Sequence, residues 1–215
     1  MKLRIGILSV ILFPALLLSM AVAQTLPHLT PFSADMEFSS RGARTPQEMN
    51  GKIYVNSGHL RMDMQSPAAG SVIITTFATQ TSDVLMPQQH MYMEFKADQN
   101  MARRMGPSIK PFTDPNNPCA NEQGTTCKNL GTEQVNGRSC DHWQITDKNG
   151  KVSNVWIDQK LHFPIKTVSE DATWQLTNIK EGEQPDSLFE VPSGYQKMDV
   201  GQMMQGMQGM RPPQQ

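Results

Sequence analysis

The side chains of this sequence best equipped for chemistry are soft ones: sixteen methionines and three cysteines, against five histidines. Met62 and Met64 lie two residues apart, as do Met91 and Met93. On extended backbone that spacing puts both members of a pair on one face. Flexible thioethers adapt to irregular apolar partners, so such a face suits acyl chains or another hydrophobe, and equally an ordinary packed core. A second set, Met203, Met204, Met207 and Met210, stands near the C-terminus. Soft thioethers favour Cu(I), which makes copper binding by this tail an alternative activity.

The cysteines are Cys119, Cys127 and Cys140. Three thiols permit one internal bridge. Cys119–Cys127 is the pairing we expect, because it closes a short loop of Asn, Gly and Thr that has little else to order it; Cys127–Cys140 is the rival. The remaining thiol reads as a small buried hydrophobe. No C-x-x-C occurs, which argues against thioredoxin-like redox chemistry.

His28, His59, His90, His142 and His162 are scattered singly, without the paired spacing zinc sites use. His59, Arg61 and Asp63 share one strand face, and Asp141-His142 precede Trp143; both groups read as solvated strand surface. Nucleophile-elbow, H-E-x-x-H, Walker and G-x-G-x-x-G patterns are absent. We therefore name no catalytic residue, no cofactor and no metal ligand outside the methionine tail, and expect a non-enzymatic protein.

The elements that must position these residues read as strands. Ser33–Arg41 is a first strand. Residues 51–65 form a hairpin in which Ile53 and Val55, then Leu60, Met62 and Met64, alternate with polar residues around Ser57-Gly58. Further strands follow at 71–77, 83–86 and 90–95, the last placing Met91, Met93 and Phe95 together. After a Pro-rich loop at 106–126 comes a meander: 128–135, turned by Asn136-Gly137, then 138–147, 152–158, 163–169 and 173–180. Short links between about ten strands predict antiparallel neighbours. Helix candidates past residue 23 are Lys96–Met105 and a turn at Asp186–Phe189.

Both ends differ from the middle. Lys2 and Arg4, an apolar run to Met20 and Ala21-Val22-Ala23 read as a signal peptide over residues 1–23, directing the chain to the periplasm or outside the cell. Residues 24–31 are a lead-in, 32–198 a single β domain, and 199–215 a disordered tail rich in Met, Gln and Gly. With Lys2 and Arg4 removed, 17 basic residues face 20 acidic ones. No basic stripe appears, which excludes an electrostatic footprint for nucleic acid. No other segment is apolar enough to span a membrane as a helix.

Several pieces in order carry a resemblance: Phe32-Ser33-Ala34-Asp35-Met36, Gly51-Lys52-Ile53-Tyr54, Gly58-His59-Leu60-Arg61-Met62-Asp63-Met64, Met86-Pro87 with Met91-Tyr92-Met93, Val135 to Trp143, Phe163-Pro164-Ile165-Lys166, and Leu188 to Tyr195. Over residues 32–198 the chain resembles an uncharacterised secreted bacterial domain family similar to the outer-membrane lipoprotein-sorting proteins, LolA and LolB. The resemblance implies a mainly β fold, a strongly curved antiparallel sheet forming an open half-barrel with few short helices. It also implies that the concave face holds acyl chains. We thus expect an envelope protein that binds a lipid or lipidated protein, lined by Ile53, Val55, Leu60, Met62, Met64, Met91, Met93 and Phe95. Copper binding by the tail and a protein-interaction module are the alternatives.

Overall fold

The computed structural model describes residues 29–41, 47–65, 70–96, 114, 116–120 and 122–198. The expected signal peptide, the Lys96–Met105 helix beyond Lys96, most of the Pro-rich loop and the methionine tail lie outside the described residues. So does most of the lead-in.

Twelve strands form one sheet in the order β12-β6-β5-β4-β3-β2-β1-β11-β10-β9-β8-β7. They are β1 (Phe32–Ser40), β2 (Gln47–Val55), β3 (His59–Gln65), β4 (Ser71–Thr76), β5 (Thr81–Met86) and β6 (Met91–Lys96). The second half comprises β7 (Thr126–Val135), β8 (Arg138–Thr146), β9 (Val152–Asp158), β10 (Phe163–Ser169), β11 (Ala172–Glu181) and β12 (Gln196–Lys197). Every pairing is antiparallel except that of β12 with β6. No α-helix occurs among the described residues; there are 3-10 turns at Pro87–Gln89 and, as expected, Asp186–Phe189.

The turns follow from backbone chemistry. Asn136 and Gly137 both take positive φ, 51° and 77°, which matches a two-residue link to strand twist. β7 and β8 therefore leave it in tight register, Val135 opposite Arg138. Asp147 closes the next turn by accepting from the backbone N–H groups of Asn149 and Lys151, and these bonds hold its carboxyl below the usual range.

Register defines two faces. On the front, Ala34, Ile53, Met62, Ile73, Val84 and Met93 lie opposite one another in one row across β1 to β6. Phe38 and Trp174 continue this face, with Thr167, Val155 and Trp143, across β11 to β8. The main core includes Phe32, Ile53, Val55, Leu60, Phe163, Ile165, Trp174 and Leu176, closed by Leu29 and Leu161. Phe32 and Phe163 meet edge to face, centroids 5.3 Å apart. Burying such side chains contributes about 1.5–3 kcal/mol each.

Gly51 shows how tight the centre is. A Cβ there would stand 2.3 Å from the Asp63 carbonyl oxygen and 3.2 Å from Met36 Cε. Only a hydrogen fits between β2 and β3 at that point.

The back face holds a second core. Ile74 and Leu85 are buried under Phe189, flanked by Tyr54, Val72, Tyr92, Leu188, Val191 and Tyr195. The segment after β11 thus crosses β3 to β6 and ends as β12, where Gln196 N–H donates to the His90 carbonyl (2.8 Å) and Met198 N–H to that of Tyr92 (2.8 Å). This corrects the expectation that His59, Arg61 and Asp63 are wet. His59 stacks on Phe189 at 5.5 Å, and Arg61 Nη1 donates to the Leu188 carbonyl at 2.8 Å while Nε donates to Asp63.

The expected strong curl is also corrected. β7 and β12 end the strand order without pairing to each other, so the sheet is open. Register shifts, which bend and twist a sheet, occur in β1, β7 and β10 but nowhere in the run of pairings from β2 to β6. The structure is a mainly β, mostly antiparallel open sheet rather than a strongly curled half-barrel.

Candidate functional site

The eight expected lining residues share the front face, and burial divides them. Ile53, Val55 and Leu60 have no exposed surface and Met62 is 7% exposed; all four belong to the main core. Met64, Met91, Met93 and Phe95 are half-buried. The division follows the strands: β2 and β3 share a core with residues of β10 and β11, whereas toward β6 the front face becomes accessible. Met86, directly opposite Met91, and Ile73 are half-buried there too. Sequence reading missed Met86, although its place opposite Met91 across the short link at Pro87–Gln89 was the available signal.

The front face of β3 to β6 carries no ionisable side chain. Its residues are Leu60, Met62, Met64, Ser71, Ile73, Thr75, Ser82, Val84, Met86, Met91, Met93 and Phe95 by register. What this arrangement can do is bind apolar or soft groups. It cannot move protons.

Polar chemistry is on the back face. His142, expected at a solvated strand edge, is buried instead, because β7 is the edge and covers β8. Its Nδ1 lies 2.8 Å from Glu133 Oε1 and its Nε2 3.0 Å from Asn154 Oδ1. Trp156 Nε1 donates to Glu133 Oε2 at 2.8 Å, and Lys166 Nζ sits 4.8 Å from the centre of the Trp156 ring. Hydrogen bonds from Trp156 and then His142 hold the Glu133 carboxyl below its usual range. His142 stacks on the same ring at 4.3 Å, so its own neighbours already use the Trp156 ring.

A polar cleft of about 380 Å³ lies between β1, β2 and β11, lined by Asp35, Lys52, Tyr54, Asn178 and Lys180. Lys52 Nζ and Asn178 Nδ2 donate to the two Asp35 oxygens at 2.8 Å each, and these contacts, Lys52 first, lower the Asp35 pKa. The exposed ion pair is worth little. Among the described residues no group of three His, Cys, Asp or Glu could hold a metal ion. No helix among them is long and apolar enough to cross a membrane.

Cys119 and Cys127 are bridged, with Cα atoms 5.8 Å apart, as expected. Cys140 is free and buried, and burial pushes its thiol pKa up to about 12.

Solved structures share the fold at low identity. One is an uncharacterized conserved protein from Thermus thermophilus, with TM-score 0.51 and 11% identity over 79% of this chain and 90% of that one. A second is MucB, with TM-score 0.51 and 12% identity over 80% of this chain and 60% of that one. This chain therefore spans less than two thirds of the MucB chain. A LolA superfamily protein from Nitrosomonas europaea matches more weakly, with TM-score 0.39 and 10% identity over 75% of this chain and 90% of that one. No curated protein matches the sequence. A family model described as "Domain of unknown function (DUF4412)" matches residues 34–162, and this protein belongs to that family.

Proposed function

We propose that this is an exported, non-enzymatic envelope protein that binds an apolar ligand, a lipid or the acyl chain of a lipidated protein, on the front face of its sheet toward β6. The observation that carries the reading is the division of that face. Ile53, Val55 and Leu60 are sealed in the core, while Met64 and Ile73 at its margin, then Met91, Met93 and Phe95, continue the same apolar surface only partly buried. Exposed contiguous apolar surface is uncommon on a protein that binds nothing. Flexible methionines suit an occupant of irregular shape.

Three further points support it. The Cys119–Cys127 bridge suits an oxidising compartment, in keeping with the leader-like residues 1–23. The front face toward β6 lacks the ionisable groups that acid–base chemistry needs. The fold is shared with MucB.

The test is native mass spectrometry of protein purified from its own host, paired with titration of a fluorescent fatty acid. A lipid adduct is expected, together with probe uptake that Met93→Glu abolishes. A clean unliganded mass with no probe uptake would count decisively against the reading.

A further inference from the structure

We propose that Met86, Met91 and Met93 form a thioether site for a soft monovalent metal ion, Cu(I), on the front face of β5 and β6. The site is assembled by register. Met86 and Met91 are directly opposed across β5 and β6. Opposed side chains in an antiparallel pair start about 4.5–5.5 Å apart at Cβ, a separation one ion can bridge through two thioethers. Met93 follows on the same strand and face, about 7 Å along from Met91.

All three methionines are half-buried and none of them belongs to the main core, yet water does not surround them.

The surroundings select the ion. No carboxylate, imidazole or amine shares this stretch of the front face, so hard divalent cations find no ligand there. Thioether sulfur favours Cu(I).

This inference does not rest on apolar-ligand binding, because the Cu(I) titration reads sulfur ligation directly. Met→Leu keeps the volume and greasiness of the face and removes the sulfur. The experiment is anaerobic Cu(I) titration of the full chain against a chromophoric chelator, with X-ray absorption of the loaded protein. We expect affinity tighter than micromolar and a sulfur-only shell. Full-chain Met86→Leu/Met91→Leu should weaken Cu(I) about tenfold or more while its circular dichroism spectrum stays that of the wild type. Leucine at Met203, Met204, Met207 and Met210 should change it less than about threefold. If the first variant fails to fold, Met93→Leu alone carries the Cu(I) comparison. Affinity no tighter than micromolar, nitrogen or oxygen in the shell, or loss that follows the tail variant alone would overturn the site.

Discussion

His142 lies flat on Trp156, ring centroids 4.3 Å apart and planes 12° from parallel. One carboxylate, Glu133, serves both rings, taking Trp156 Nε1 on one oxygen and facing His142 Nδ1 with the other. The carboxyl sits on the edge strand and the two rings on β8 and β9, so this trio ties the last three strands of the sheet together on their back face.

Glu133→Gln tests that tie. The Glu133 pKa is depressed in the folded state, chiefly by the Trp156 hydrogen bond. A depressed carboxyl stabilises above its unfolded pKa and loses the contribution as pH falls through the folded value. The variant should melt below wild type at pH 7, and the gap should close below about pH 4. Thermal denaturation followed by tryptophan fluorescence at both pH values reads it.

Among the described residues Asp158 is the buried acid, 1% exposed. It accepts from Arg138 Nε, and from the backbone N–H groups of Lys160 and Leu161 at 2.8 Å in both cases. Asp158→Ala leaves those two backbone donors and Arg138 Nε without their acceptor, while Arg138 Nη2 keeps its bond to Glu181 at 2.9 Å. The expected loss in urea denaturation is about 3–5 kcal/mol. A loss below about 1 kcal/mol would mean that water replaces the carboxylate, which its burial does not allow.

Asp83 behaves in the opposite sense. Burial, then the nearby Glu94 charge, raises its pKa, and its Oδ1 is buried without a hydrogen-bond partner. The fold therefore disfavours the carboxylate, and the penalty appears as pH rises above the unfolded Asp value. Asp83→Asn should raise the melting temperature at pH 7 and leave it unchanged near about pH 3. Paired melts at the two pH values check both the sign and the window.

Cys140, with its thiol pKa pushed up to about 12, should resist alkylation at pH 8 for as long as the protein is folded. In denaturant without reductant one thiol should react, and with reductant three. Intact-mass counting of adducts checks the free thiol and the Cys119–Cys127 bridge in one experiment.

Much of the sheet was legible in the sequence because alternation and turn chemistry are local. β9 and β10 have the bounds their patterns predicted, and Asn136-Gly137 makes the turn its residue types require. Met62, Met64, Met91 and Met93 do share a face. What alternation cannot report is what lies over a face. Arg61 and His59 read as wet because nothing near them in sequence announces Leu188 and Phe189. The same limit applied to Ile53, Val55 and Leu60, whose pattern is identical in a filled core and an open trough. β12 escaped notice because two residues, Gln196 and Lys197, carry no periodicity, and their pairing with β6 is parallel and distant.

The first strand pairs with β2 at once but finds its second neighbour only in β11. Gln175 on β11 donates to Glu37 on β1, 138 positions earlier, and the full run of that ladder separates the two halves of the sheet. Local hairpins can zip early on either side, but the seam joining them waits on the slow closure of a very large loop. A chain wired this way keeps its two half-sheets apart until β11 has been made.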